Sequence, residues 1–161
     1  DCSRLYVAAF DLVYFNKNTR HFEMDDPFTA NLDVVAVNKY MGWYHPWPMS
    51  PDKVRWNVAP GKSVVISEFG CEALYGKTGD ADVKSSWSED FQANVYKGNL
   101  KMFSHITNLR GVSPWVLFDF RSPYRFNPNQ SEWNRKGLVS DQGMRKKAWY
   151  IMHDYYQSIK E

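Results

Sequence analysis

At 161 residues the chain has the length of one domain, large enough to bury a single hydrophobic core. A net charge of +2, from 20 Lys and Arg against 18 Asp and Glu, argues against nucleic acid or an anionic membrane as the main partner. Aromatic residues are the outlier at 17%, with 7 Trp, 10 Tyr and 10 Phe, and so much flat apolar surface suits a crowded core or a site that stacks on sugar rings. Cys2 and Cys71 are too few for a disulfide framework and cannot be paired from sequence. No apolar run reaches the length of a membrane span and no signal-peptide pattern is present, so no membrane partner is expected. The chain opens on Asp1 without an initiating Met and reads as a cut-out or processed piece, with its compartment left open.

In chain order, "RLYVAAF" (residues 4–10) and "LDVVAVN" (residues 32–38) are nearly continuous apolar runs with little alternation. Such runs fit strands covered on both faces, as in a parallel sheet with helices outside. Ser50 and Pro51 open a short helix over residues 50–56. "SVVIS" (residues 63–67) is a third strand. Phe91, Val95, Leu100, Phe103 and Ile106 recur near a 3.6-residue period and predict a helix over residues 88–107, capped by Ser86 or Ser88. "GVSPWVLF" (residues 111–118) is a fourth strand. Residues 124–133, with Pro128 at their middle, form a long loop, and a last helix runs over residues 145–159. Strands alternating with helices predict a parallel α/β architecture in one domain.

Ligands of such folds sit at the carboxyl ends of the strands. Those ends read Asn38-Lys39-Tyr40, Ser67-Glu68-Phe69-Gly70 and Asp119-Phe120-Arg121. They are polar and aromatic where the strand bodies are apolar. Glu68 raises the sharpest question, because stripping a carboxylate of water costs several kcal/mol unless something pairs with it. It is either a functional carboxylate or a buried ion held by an arginine.

Four segments in order carry a resemblance: "AVNKYMGWYH" (residues 36–45), "VISEFG" (residues 65–70), "WVLFDF" (residues 115–120) and "NRKGLVSDQGMRKKAW" (residues 134–149). Together they resemble the C-terminal half of the catalytic barrel of glycoside hydrolase family two, which includes β-galactosidases, β-glucuronidases and β-mannosidases. The resemblance implies that residues 1–161 are one piece of a longer chain, holding strands five to eight of a (β/α)8 TIM barrel of about 250 residues. It implies a retaining exo-β-glycosidase with Glu68 as nucleophile, and a carbohydrate partner. Tyr40 would orient Glu68. Tyr44 would border the sugar, and Trp115 would be its platform, since an indole stacks on a pyranose face. The acid/base of the family is a glutamate after an asparagine on strand four, and this chain has no Asn-Glu pair. The piece is therefore expected to be inactive alone, and its two open strand edges predict aggregation or dimerisation unless the missing N-terminal half-barrel is supplied.

In β-glucuronidases an Asn-x-Lys pair grips the C6 carboxylate of the sugar, and Asn134 and Lys136 match it, with Arg125 beside them. A galactoside or mannoside substrate stays open, as does a non-catalytic carbohydrate-binding or interaction half-barrel. Asp119 and Arg121 either brace the strand end or act directly. His45 has no second ligand at metal spacing, there is no glycine-rich phosphate loop, and so neither metal nor cofactor is expected. Cys71 reads as a packing residue, and the cluster Arg145-Lys146-Lys147 as a solvated face rather than a nucleic-acid contact.

Overall fold

The computed structural model describes residues 3–160, so Cys2 lies outside the described residues. Its centre is a parallel sheet of four strands in the order β1 (Val7–Phe10), β4 (Val34–Asn38), β6 (Ser63–Glu68) and β7 (Leu109–Val112). The inner strands β4 and β6 are covered on both faces, as their continuous apolar runs predict, whereas the outer strand β1 leaves Val7 59% exposed and β7 is only partly buried. Val35, Val37, Val64 and Ile66 have no exposed surface, and each such side chain contributes roughly 1.5–3 kcal/mol on burial. Their neighbours in one core include Phe69, Tyr96, Met102, Phe103 and Met152.

Helix α1 (Glu89–Phe103) starts where the sequence predicts. Ser88 Oγ accepts from the Phe91 backbone N–H at 3.1 Å, and Glu89 and Asp90 lie in the positive first turn. Its apolar stripe of Phe91, Val95, Met102 and Phe103 is buried. Helix α2 (Lys147–Ser158) packs on α1 and buries Ala148 and Met152. The Pro51 segment is a single 3-10 turn, Pro51–Lys53. No helix among the described residues is long and apolar enough to cross a membrane.

Three differences from the sequence reading have physical causes. The fourth strand ends at Val112, short of the expected 118. Pro114 has no N–H for the ladder, and after it the chain swings to a new partner. Ser113 and Trp115 still donate to the carbonyls of Ile66 and Phe69 at 2.7 and 2.9 Å. From there Val116, Leu117 and Asp119 exchange backbone bonds with Lys136, Leu138 and Val139.

Two small sheets were not predicted. One contains β2 (Tyr14–Asn16), β3 (His21–Glu23) and β5 (Arg55–Asn57); the other pairs β8 (Phe120–Arg121) with β9 (Trp133–Asn134). Strands of two or three residues are too short to display a period. The third difference is a correction: Lys146, expected on a solvated face, has no exposed surface.

Candidate active site

Strands β4 and β6 end side by side, and their ends carry the first pair of functional groups. The pairing register shifts between Val37 and Asn38, so that Val37 faces Ile66 while Asn38 faces Glu68 and Ser67 bulges out. A bulge breaks the two-residue alternation and re-aims the side chains beyond it. Val64 and Ile66 are fully buried, whereas Glu68 is half-buried at the open end of the sheet. Ser67 Oγ secures the bulge by donating to Asn38 Oδ1 at 2.6 Å.

Glu68 Oε2 accepts a hydrogen bond from the Tyr40 hydroxyl at 2.6 Å. Among the described residues no arginine or lysine forms an ion pair with Glu68, so the buried-ion alternative is not what the geometry shows. The Tyr40 phenol is pushed well up by its burial, by the hydrogen bond to Glu68 and by that carboxylate's charge. It therefore stays protonated, and a donor, across the physiological range. The turn beyond Glu68 requires glycine. Gly70 has φ +134, and a Cβ there would lie 2.7 Å from the Tyr96 hydroxyl and 3.2 Å from the Trp115 carbonyl oxygen.

The Tyr44 ring lies 5.1 Å from that of Tyr40 and is 54% exposed. Burial raises its pKa, but the hydrogen-bonding cations of Lys136 and Arg125 outweigh that and bring it below the usual tyrosine value. Trp115, 38% exposed, packs edge-to-face on Phe120 at 6.2 Å. Its backbone N–H is fixed to the Phe69 carbonyl, one residue past Glu68.

Lys136, Arg125 and Asn134 also come together, around a residue the sequence had not assigned. Glu72 is fully buried, yet it carries no desolvation defect because donors surround it. Its Oε1 accepts from Arg125 Nη1 at 2.8 Å, Lys136 Nζ at 2.9 Å and Gln130 Nε2 at 3.0 Å. Its Oε2 accepts from Gln130 at 2.9 Å and from the Arg135 backbone N–H at 3.4 Å. Lys136 is 1% exposed, and its ammonium lies 5.0 Å from the Tyr44 ring centre and 5.9 Å from that of Tyr40. Asn134, also buried, uses Oδ1 to accept the Lys136 backbone N–H at 3.1 Å, which fixes the turn presenting the lysine. A cavity of about 610 Å³ opens beside this cluster, lined among others by Tyr44, Glu72, Lys84, Trp87, Arg125 and Gln130. Glu68, Tyr40 and Trp115 stand outside its lining, on the neighbouring strand ends.

A second buried node braces the same loops. Lys146 Nζ donates to Asp119 Oδ1 at 2.8 Å, to the Ala73 carbonyl at 2.7 Å and to the Arg135 carbonyl at 3.0 Å. Asp119 Oδ1 also accepts the Gly137 N–H at 2.8 Å, and a Cβ on Gly137 would sit 2.2 Å from the Asp119 backbone nitrogen. Burial raises the Asp119 carboxyl and lowers the Lys146 amine, each opposed by the other's charge. Arg121 instead makes an exposed pair with Glu132 at 3.5 Å. Cys71 is buried beside Trp43, Phe91 and Val95, its thiol pushed up by desolvation.

The sequence pointed to Glu68, Tyr40, Tyr44, Trp115, Arg125, Asn134 and Lys136. It missed Glu72, Gln130 and Lys146. The signal for Glu72 was its setting, a charged residue between Cys71 and Ala73 directly after a buried strand.

No family model matches the chain. It is 27% identical over 142 residues to the β-glucuronidase of Sus scrofa, covering 80% of this chain and 21% of that one. With the β-glucuronidase of Streptococcus agalactiae it shares 28% over 145 residues, covering 78% and 23%. Among solved structures, a GH2 β-galacturonidase from Eisenbergiella tayi bound to galacturonate superposes with TM-score 0.70 at 28% identity, covering 84% of this chain and 26% of that one. A Ruminococcus gnavus β-glucuronidase, at 21% identity, shares the fold with TM-score 0.71 over 99% of this chain and 26% of its own. The chain spans about a quarter of the length of these relatives. Over most of its length it is thus a relative, in sequence and in fold, of β-glucuronidases and of a family-two β-galacturonidase, the resemblance its four motifs carried.

Proposed function

We propose that the chain forms the C-terminal half of the (β/α)8 catalytic barrel of a retaining exo-β-glycosidase, with β1, β4, β6 and β7 as the fifth to eighth strands. The observation that carries this reading is the Tyr40–Glu68 pair, a phenol holding a carboxylate at 2.6 Å on the C-terminal ends of adjacent parallel strands. In such barrels the chemistry gathers at that end.

In this mechanism Glu68 attacks the anomeric carbon as a carboxylate. The bond from that carbon to the leaving oxygen breaks as an ester to Glu68 forms, and an acid protonates the departing oxygen. The same group, now a base, takes a proton from water. The water oxygen bonds to the anomeric carbon and the ester breaks, which restores Glu68. Tyr40 fixes which carboxylate oxygen it bonds and leaves the other for attack. Trp115 offers its face to the pyranose.

The acid/base of a retaining enzyme lies about 5–5.5 Å from the nucleophile. Glu72 does not suit that role, because it is fully buried and its two oxygens are saturated by four donor groups. The reading therefore assigns the acid/base to a part of the enzyme outside these residues and makes the chain inactive alone. Two cations, Arg125 and Lys136, meet the Glu72 carboxylate; Arg125 and Glu72 line the pocket, and Lys136 lies buried behind them. The surplus positive charge favours a uronic acid over a neutral hexose.

Azide rescue in the full-length enzyme tests the nucleophile. Glu68→Gly should abolish turnover, and added azide should restore it with a glycosyl azide of inverted configuration as product. A Glu68→Gly enzyme that keeps its turnover, or gains nothing from azide, overturns the assignment and leaves the non-catalytic module as the better reading.

A further inference from the structure

The cluster around Glu72 has more order than a packing role needs. A fully buried carboxylate can be satisfied by one arginine, yet here Arg125 Nη1 and Lys136 Nζ both bond the same oxygen, at 2.8 and 2.9 Å. Two like charges held that near each other repel unless a negative charge lies between them. Glu72 supplies it, and Gln130 bridges both of its oxygens so that the carboxylate cannot rotate away. Nothing else in the described cluster is anionic. The formal charge of Arg125, Lys136 and Glu72 together is one positive unit, which one substrate carboxylate would complete. An ammonium has three donors. Glu72 takes one of them and the Tyr44 phenol another, and the ammonium lies 5.0 Å from the ring of that half-exposed tyrosine and 5.9 Å from that of Tyr40.

The geometry points to Glu72 as a specificity-determining positioning residue: it sets Arg125 and Lys136 side by side as one clamp, and it trims their joint charge to match a single carboxylate at C6 of the sugar. The inference rests on the uronide reading above and adds the residue that makes two separate cations into one receptor. Glu72 does not touch the reacting atoms. It acts through Arg125 and Lys136, and the 58 to 64 residues that separate it from Gln130 and Lys136 make it the link between the loop after β6 and the loops around β9.

The test is the ratio of kcat/KM for p-nitrophenyl β-glucuronide to that for p-nitrophenyl β-galactoside, measured on the full-length enzyme. Glu72→Gln keeps the shape and removes the charge. It should lower the ratio roughly tenfold or more, the size of one charge-assisted hydrogen bond, chiefly by raising KM for the glucuronide. Glu72→Asp, which keeps the charge on a shorter stem, should recover part of the ratio. In a Lys136→Met background, Glu72→Gln should add little further loss. A brace without a part in specificity would lower both substrates alike, and a ratio held within about twofold of wild type would overturn the inference. Should Glu72→Gln fail to fold, the Glu72→Asp enzyme decides: an unmoved ratio and an unmoved KM contradict the proposal. If instead the unmodified enzyme shows no preference for the glucuronide, or Lys136→Met leaves the ratio unmoved, the uronide reading itself fails and takes this one with it.

Discussion

Glu68, the last residue of β6, and Glu72, in the loop that follows, lie four residues apart, yet their surroundings are opposites. Glu68 is half-buried at a strand end and receives one side-chain hydrogen bond, from Tyr40. Glu72 is fully buried and gathers Arg125, Lys136, Gln130 and the Arg135 backbone. A carboxylate that must attack a carbon needs unclaimed lone pairs and an open side. One that must organise cations needs every lone pair engaged, because an unpaired buried charge is strongly destabilising. Bonding pattern, not residue type, separates the two roles. The bulge at Ser67 and the turn at Gly70 are the local devices that send one glutamate outward and the next inward.

The strongest way to sharpen the contrast is to swap charge for amide at each position. Glu68→Gln in the full-length enzyme should lower kcat by on the order of 10⁴-fold or more while leaving the melting temperature within about 2 °C, since Glu68 is half-buried and forms no ion pair among the described residues. Steady-state kinetics and calorimetry read the two effects. Next in size is the neighbouring node. Lys146→Met removes the 2.8 Å cation from buried Asp119 and leaves it only the longer 3.6 Å pair to Arg135, and should cost about 3 kcal/mol of stability, measurable by urea unfolding. An unchanged midpoint would mean that the loops behind Glu72 are held some other way.

The tyrosines should give smaller effects. Tyr40→Phe removes the one side-chain donor to Glu68 among the described residues and should lower kcat roughly tenfold to a hundredfold, the worth of a hydrogen bond to a charged group, with less change in KM. Tyr44 gives a pH readout. Burial alone would raise its pKa, but the Lys136 and Arg125 cations favour the phenolate, so Tyr44 should ionise below the usual tyrosine range. Lys136→Met removes one of those cations and should move the Tyr44 transition to higher pH in an ultraviolet titration. No shift would place Lys136 away from the phenol.

How much of this was written legibly in the sequence depends on range. The four parallel strands announced themselves as continuous apolar runs, and α1 as a 3.6-residue period with a serine cap, because those signals are local. The strand ends likewise exposed Glu68 and Tyr40, and the TIM-barrel resemblance gave them expected roles and added Trp115. Glu72 stands too close to Glu68 in sequence to be its acid/base, and its actual pairing was not legible because its partners Arg125, Gln130 and Lys136 stand 53, 58 and 64 residues away. Nothing in a window around Glu72 forecasts them. Lys146 misled for the opposite reason: three adjacent cations resemble a wet surface, and only the meeting of Asp119, Ala73 and Arg135 around one ammonium buries the middle one. The short strands β2, β3, β5, β8 and β9 owe their form to partners rather than to propensity.

Trapping the covalent intermediate tests the central claim most directly. The full-length enzyme would be incubated with a 2-deoxy-2-fluoro β-glycosyl fluoride of the preferred sugar, digested, and its peptides weighed by mass spectrometry. Under the proposed mechanism one fluorosugar is attached, through an ester, to the peptide "VISEFG" at Glu68, and activity returns as the adduct hydrolyses. A label on any other carboxylate, or a fully turned-over inactivator with no adduct at all, would contradict it.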